Sequence, residues 1–115
     1  MRNVLIMISS DPRSSQRPAE AIRLAAGLAQ WPRINVRVYL RDAAVLALSG
    51  EPDDLMDGEF FRDCLPLVAK PETPIYVQHL SPTVREIGHS AVRFLEISDD
   101  QLAREIARSH YVLRF

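Results

Sequence analysis

Cysteine and glycine are scarce in this chain of 115 residues, and their scarcity excludes several kinds of functional site. Because Cys64 is the one cysteine, the chain can form neither an internal disulfide nor a metal site made only of cysteines. The absence of an internal disulfide fits a reducing compartment. None of the four glycines lies in the first polar loop, residues 9–18. A Walker phosphate loop and a dinucleotide fingerprint both need several glycines, so that loop is neither.

An excess of basic charge and a long apolar run are also missing. The formal net charge is −1 at pH 7, which argues against nucleic acid or an anionic membrane as a partner. The first apolar run, residues 4–8, is too short for a membrane span or for the core of a signal peptide. We therefore expect a cytoplasmic protein. Apolar residues make up 47% of the chain, enough to build the core of one domain over residues 1–115.

Short apolar runs alternate with helical patterns along the chain. Five runs have the pattern of β-strands: 4–8, 34–40, 75–77, 92–97 and 111–115. The segments between them carry apolar residues at helical spacing, as Leu24 and Leu28 do. Because strands and helices alternate, the strands should be parallel and joined by right-handed crossovers. We predict a single three-layer α/β/α domain with a five-stranded, mainly parallel sheet.

Three local patterns predict how individual helices begin and end. Asp42 is placed to cap the start of a helix over residues 43–48. Pro66 is expected to kink the next long helix or to end it early, because proline lacks an amide hydrogen. Ser98 and Gln101 have the spacing of a capping box at the start of the last helix.

Polar residues that follow strands should gather on one edge of the sheet. Ligands bind parallel α/β sheets beyond the carboxyl ends of the strands. The candidate ligand-binding residues are Ser10, Arg13, Ser14, Arg41, Gln78, His79 and Ser81. His110 precedes a strand, so we expect it on the opposite edge. The sequence contains no motif that indicates a cofactor, a metal ion or a catalytic residue.

Several of these candidates also have a structural explanation. Serines before a helix most often cap it, and Pro18 removes one amide donor from the first turn of that helix. Ser81 before Pro82 is explained by capping of a short helix that stops at Gly88. His79 could act as a general base, but the sequence identifies no carboxylate partner for it. A structural role and a ligand-binding role both stay open for these residues.

Two further features favour structural roles. Cys64 shares a helical face with Phe60, Phe61 and Val68, and an apolar environment raises the pKa of a thiol and makes it unreactive. The acidic loop 51–58 lacks the alternating ligand spacing of a calcium loop, so we expect it to be solvated.

Three segments of the chain resemble the DsrE/DsrF-like family, which includes the TusD-type sulfur-relay subunits. They read VLIMISSDPRSSQRPAEAIRLA, VRVYLRDAAVLALSGE and PIYVQHLSPTVREIG, and the match covers most of the chain. The resemblance implies a five-stranded α/β sandwich that assembles into homo- or hetero-oligomers, commonly trimers and hexamers. It also implies a site at residues 78–81, where sulfur-carrying members have a cysteine that accepts persulfide sulfur.

The chain departs from this family pattern at the site itself. Gln78, His79, Leu80 and Ser81 occupy the matching positions. The N-terminus of a helix lowers the pKa of a thiol, but neither a glutamine nor an unactivated serine hydroxyl carries a persulfide. The sulfur-carrier activity is therefore not expected here. Some subunits of the family also lack the cysteine and serve as assembly partners.

Two interpretations follow from the sequence, and it does not decide whether the protein is an enzyme. In the first, the chain is a non-catalytic DsrE-like subunit that oligomerises or docks against a sulfur-relay partner. In the second, it is a protein or enzyme that binds a small anionic ligand in a pocket at the carboxyl edge. An exposed apolar face over residues 42–49 would favour the first interpretation. A pocket shared by Arg13, Gln78 and His79 would favour the second.

Overall fold

A computed structural model, which describes residues 1–115, contains one sheet with the strand order 4-3-2-1-5. The strands are β1 (Arg2–Ile8), β2 (Ile34–Leu40), β3 (Ile75–Gln78), β4 (Phe94–Ile97) and β5 (Tyr111–Arg114). Every neighbouring pair is parallel, and β1 pairs along its whole length with β2. The predicted α/β fold with a five-stranded parallel sheet is confirmed, although β4 begins two residues later than the sequence pattern indicated.

Helices cover both faces of the sheet. They are α1 (Arg17–Ala29), α2 (Gly58–Val68), α3 (Thr83–Glu86) and α4 (Asp99–Arg108), with short 3-10 helices at Asp42–Leu48 and Pro52–Asp54. Residues from α1, α2, the 3-10 helix Asp42–Leu48 and the end of the α3 segment pack into the larger core. Leu102 of α4 packs into a smaller core on the other face. None of these helices combines the length and the apolar content that crossing a bilayer requires.

The two cores follow from the alternation of side chains along the central strands. In β1, Val4, Ile6 and Ile8 point into the larger core, while Leu5 packs with Tyr39 on the α4 face. A strand buried on both faces reads as a continuous apolar run, as β1 does. Four small buried residues of α1 let that helix lie close to the sheet. They are Ala19, Ala21, Ala25 and Ala26.

Residues 42–48 form a 3-10 helix, and Asp42 does not cap it. Asp42 is the first residue of this helix and has a left-handed backbone with φ 54°, so its side chain is not at the capping position. An exposed apolar face over residues 42–49 would have favoured the subunit interpretation. Ala44, Val45, Ala47 and Leu48 are instead all buried in the larger core. This segment therefore gives no support to that interpretation.

Pro66 does not end α2 early, and the hydrogen bonds of the helix continue past it. The helix runs through Pro66 to Val68, and the amide of Ala69 still donates to the Leu65 carbonyl at 2.9 Å. A proline in the last turn removes only one hydrogen bond, the one to the carbonyl four residues earlier. That carbonyl belongs to Arg62, an exposed residue that water can reach.

The predicted capping box at the start of α4 is confirmed. The Ser98 hydroxyl accepts from the Gln101 amide at 3.2 Å, and the Gln101 side chain accepts from the Ser98 amide at 2.8 Å. His110 lies at the amino end of β5, where its Nδ1 accepts from the Asn3 amide at 2.9 Å. It is therefore far from the carboxyl edge along the strands, as expected.

The serines that precede α1 and α3 do not cap those helices. At α1, the N-cap residue is Gln16 and has no side-chain cap, while the Ser15 hydroxyl accepts from the Arg17 amide at 3.1 Å. At α3, the N-cap residue is Pro82, so Ser81 lies one position too early to cap. The chain leaves α3 through Gly88, which has the left-handed φ of 62° that glycine adopts without strain.

Candidate ligand-binding site

A cavity of about 270 Å³ opens at the carboxyl edge of the sheet. The loops that follow β1, β2 and β3 supply its wall together with α3. Its lining residues are Arg13, Asp42, Ala43, Leu46, Gln78, Ser81, Pro82, Thr83 and Glu86. Three of the seven predicted ligand-binding residues, Arg13, Gln78 and Ser81, therefore line one cavity. This position is the edge at which parallel α/β sheets bind ligands.

Arg13 is held by a carboxylate of its own loop. Its Nε lies 3.1 Å from Asp11 Oδ1, and its Nη2 lies 2.9 Å from Asp11 Oδ2. The Arg13 amide also donates to Asp11 Oδ1 at 2.9 Å. These hydrogen bonds to Arg13 lower the pKa of Asp11, and the same pair raises the pKa of Arg13. The guanidinium at the cavity wall is thus already paired, although its side chain is 59% exposed.

Gln78 links β3 to the loop after β2. Its Oε1 accepts a hydrogen bond from the Asp42 amide at 3.2 Å. The amide hydrogen of Asp42 therefore has a side-chain partner across the sheet edge. Since Oε1 is the acceptor in this bond, the carboxamide nitrogen of Gln78 is the group left to donate to a ligand.

Ser81 is the buried polar residue of the site. It is only 6% exposed, and its Oγ has no hydrogen-bond partner in the protein. Most buried polar side-chain atoms have such a partner, so Ser81 Oγ is an exception in this fold. The oxygen itself is enclosed by the protein and does not open onto the cavity. The preceding residue, Leu80, has a left-handed φ of 59° and is 80% exposed.

Four predicted candidates lie outside the cavity lining. His79 is exposed, and its amide donates to the Ile97 carbonyl at 3.1 Å. Arg41 has a buried Nε without a hydrogen-bond partner, 3.9 Å from Asp42 Oδ2. Ser10 and Ser14 make no side-chain hydrogen bond in the structure, although Ser14 donates its amide to the Asp11 carbonyl at 3.2 Å. The pocket expected to join Arg13, Gln78 and His79 therefore forms without His79.

Asp42, Thr83 and Glu86 line the cavity although they were not among the predicted ligand-binding residues. Glu86 lies three positions after Thr83, so both are on the same side of the short helix α3. This spacing of three residues, in a helix that follows β3, is the signal that could have identified Thr83 and Glu86. The two additional carboxylates change the charge of the site, because they face a cavity whose one lining cation is already paired with Asp11.

Cys64 and the acidic loop offer no competing reactive site. Cys64 is partly buried against the larger core, and burial raises the pKa of its thiol, with the nearby Asp63 acting in the same direction. The expected direction of that pKa shift is confirmed. No group of three or more His, Cys, Asp or Glu side chains is arranged to hold a metal ion. A second cavity, of about 160 Å³ beside Phe61 and Leu65, has Arg62 as its one charged residue.

Comparison with known proteins identifies the fold. No known protein-family profile matches the chain, and no curated protein matches it in sequence. The structure is similar to the crystal structure of the ychN protein from E. coli, with a TM-score of 0.78 and 21% sequence identity. The match covers 100% of each chain. The two proteins therefore share the whole α/β fold and not a fragment of it.

Proposed function

We propose that this chain is a non-catalytic, DsrE-like subunit of the cytoplasm that assembles with copies of itself or with related subunits as a trimer or hexamer. It is related to the sulfur-relay proteins but carries no persulfide. Two observations support the absence of carrier activity. Residues 78–81, which follow β3, contain no cysteine, and Cys64 lies on α2 with a raised thiol pKa.

The outer face of α1 is the observation that carries the assembly proposal. Trp31 is 64% exposed and Leu24 is 40% exposed, and together with Gly27 and Leu28 they line a shallow groove. Exposed tryptophan is costly in water and is enriched at protein interfaces. Glu20 and Arg23 complete the groove, so an apolar centre has charged residues at its border, as protein interfaces do.

Gly27 strengthens this interpretation because nothing inside the chain requires a glycine there. A Cβ placed on Gly27 would meet no atom within 4 Å. Glycine inside a helix costs about 0.5–1 kcal/mol relative to alanine. The missing side chain keeps the groove open at Gly27, so that a side chain of a second copy can approach the backbone of α1. Leu24 of a second copy is such a side chain, and it lies one turn away on the same face.

Light scattering on the purified protein tests assembly. We expect an oligomer at high micromolar concentration, and we expect Leu24→Glu to shift it towards the monomer by introducing a charge into the apolar groove. Leu95→Glu is the matched control, because Leu95 is 51% exposed on β4, away from α1. A wild-type protein that is strictly monomeric would overturn the proposal. Dissociation by Leu95→Glu but not by Leu24→Glu would overturn the choice of surface.

A second candidate function is the binding of a small molecule in the carboxyl-edge cavity. The observation that favours it is that Arg13 and Gln78, from the loop after β1 and the end of β3, line one cavity at the carboxyl edge. Melting-temperature shifts with a panel of metabolites test this function. Gln78→Ala should abolish any shift that arises in the cavity, whereas Gln30→Ala, on an exposed residue at the end of α1, should preserve it.

A further inference from the structure

We infer that the loop after β3 docks on the same loop of a second copy across a two-fold axis, with Leu80 as the central contact of each copy. This inference rests on the proposed assembly of the chain with itself, and it adds a second surface that is separate from α1. A trimer needs one kind of contact between its copies, whereas a hexamer made of two trimers needs a second kind.

A short turn that the fold holds in place presents Leu80 to solvent. The Ser81 amide donates to the Gln78 carbonyl at 3.3 Å, which closes a four-residue turn. The His79 amide donates to the Ile97 carbonyl at 3.1 Å, so the turn is tied to the end of β4. Leu80 is the third residue of the turn and has a φ of 59°, a conformation for which turns ordinarily use glycine or asparagine.

Nothing inside the chain explains a leucine at this position. The Leu80 side chain is 80% exposed and belongs to neither hydrophobic core. A left-handed backbone is strained for a leucine, and burial within the chain does not offset that strain. Backbone strain of this kind persists at positions that have a function. A side chain on a backbone that is already fixed also loses less entropy when a partner covers it.

A groove of about 460 Å³ lies beside Leu80 and can receive the same residue of a second copy. The apolar part of its lining consists of Leu80, Pro82 and Val84. Arg85 and Glu96 also line the groove. Apolar residues accompanied by charged ones are the arrangement that protein interfaces show.

The charges of the groove favour a second copy as its occupant. Arg85 and Glu96 are both exposed, and neither forms an ion pair within the chain. A two-fold axis that passes between them brings Arg85 of each copy towards Glu96 of the other. Because a two-fold interface uses the same patch on both copies, a patch with one cation and one anion is complementary to itself. A partner that carries charge of a single sign would repel one of the two residues.

Sedimentation equilibrium of the full chain tests the contact. We expect a hexamer of the wild-type chain and a shift of Leu80→Gly towards the trimer. Removal of the leucine side chain should weaken the affinity between trimers at least about tenfold. Glycine adopts the left-handed turn without strain, so this variant should fold. Leu67→Ala is the matched control, because Leu67 is 46% exposed on α2 and lines neither this groove nor the one on α1.

Charge reversal tests the two-fold geometry separately from the apolar contact. Arg85→Glu or Glu96→Arg alone places like charges opposite each other and should weaken the association about tenfold. The double variant restores opposite charges and should recover most of the lost affinity. Arg62→Glu is the control, because Arg62 is exposed and lines neither groove, and it should leave the association unchanged. A double variant that recovers nothing would show that these residues do not face each other, and the inference would be wrong.

The remaining outcomes separate this inference from assembly through α1. A strictly monomeric wild type would overturn both. A wild-type trimer, or an oligomer that Leu24→Glu dissociates while Leu80→Gly and the charge reversals do not, would overturn this inference and leave assembly through α1. Leu80 would then be left as a contact for a different protein. Dissociation by Leu80→Gly but not by Leu24→Glu would support this surface and overturn the choice of α1.

Discussion

The side chain of Gln78 holds the backbone of Asp42: Gln78 Oε1 accepts from the Asp42 amide at 3.2 Å, across 36 positions of sequence. Asp42 has a left-handed backbone with φ 54°, and the hydrogen bond secures its amide in that conformation. The loops after β2 and β3 are thereby joined at the cavity. Gln78, which the sequence predicts as a ligand-binding residue, is thus also a structural link between two walls of the cavity.

Leu80→Gly is expected to leave the free energy of unfolding unchanged or to raise it by up to about 1 kcal/mol. A left-handed backbone costs a residue such as leucine about 1–2 kcal/mol, and the extra chain entropy of glycine offsets about half of that relief. Leu80 is 80% exposed, so little burial is lost. The control is Leu67→Gly, on a 46% exposed leucine inside α2, which should lose about 1 kcal/mol. Urea denaturation measures both, and equal losses would contradict the argument.

Gly58→Ala is expected to destabilise the fold by about 1–3 kcal/mol through overpacking. A Cβ at Gly58 would stand 2.1 Å from the Pro52 carbonyl oxygen, so the backbone would have to move. Gly27→Ala is the opposite case, because a Cβ at this position meets no atom within 4 Å. The substitution should stabilise α1 by about 0.5–1 kcal/mol, since glycine inside a helix is less favourable than alanine. Thermal unfolding of dilute protein compares the two. The packing argument fails if Gly58→Ala is tolerated as well as Gly27→Ala.

Ser98→Ala is expected to cost about 1 kcal/mol, because it removes the side-chain acceptor for the Gln101 amide at the start of α4. Ser14→Ala is the matched control. Ser14 makes no side-chain hydrogen bond in the structure, so its loss should change stability by less than about 0.5 kcal/mol. Chemical denaturation of both variants decides the point, and a similar cost at Ser14 would show that its hydroxyl has a role in the fold.

The thiol of Cys64 is expected to react slowly in the folded protein. Burial raises its pKa, so less thiolate is present at neutral pH, and the thiolate is the reacting form. Reaction with a colorimetric disulfide reagent at pH 7 should be slower than in the urea-unfolded chain. The Cys64→Ser variant gives the background. Rapid uptake of persulfide sulfur by the folded protein would contradict both this prediction and the absence of carrier activity.

Asp11 should contribute to the acid sensitivity of the fold. Its folded-state pKa is lowered by hydrogen bonds to Arg13, so the folded state favours the ionised carboxyl. The contribution is present above the unfolded pKa of a carboxyl and is lost as the pH falls through the lowered folded value. It is small because the pair is solvent-exposed. Asp11→Asn should therefore flatten the loss of stability below about pH 4. Asp53→Asn, on an exposed carboxyl without an ion pair, should leave that slope unchanged.

The strands and the order of the elements were predictable because their signals are local. An apolar run such as that of β1 carries its own burial pattern, and the Ser98 and Gln101 capping box depends on a spacing of three residues. Parallel pairing then followed from strand and helix alternation. The helix type at residues 42–48 was not predictable, because it depends on a left-handed residue at Asp42 and on how closely the segment packs on the sheet.

The candidate site was predictable as an edge of the sheet but not as a set of contacts. Arg13, Gln78 and Ser81 line one cavity, whereas His79, the neighbour of Gln78, is exposed outside it. Adjacent residues at a strand end point to opposite faces, so sequence position alone does not assign them to a cavity. Sequence reasoning missed Glu86 because only the placement of α3 in the folded chain brings this residue to the cavity.

The sequence by itself determined the alternating α/β order, the caps of α4 and the lack of a cysteine at residues 78–81. These features depend on residue type and on spacing within a few positions. Tertiary structure alone decided that Asp42 and Glu86 share a cavity with Arg13. It also decided that Val45 and Leu48 are buried while Trp31 is exposed. These outcomes depend on which loops and helices meet in space. The charge of the site and the exposed apolar surface are therefore properties of long-range packing.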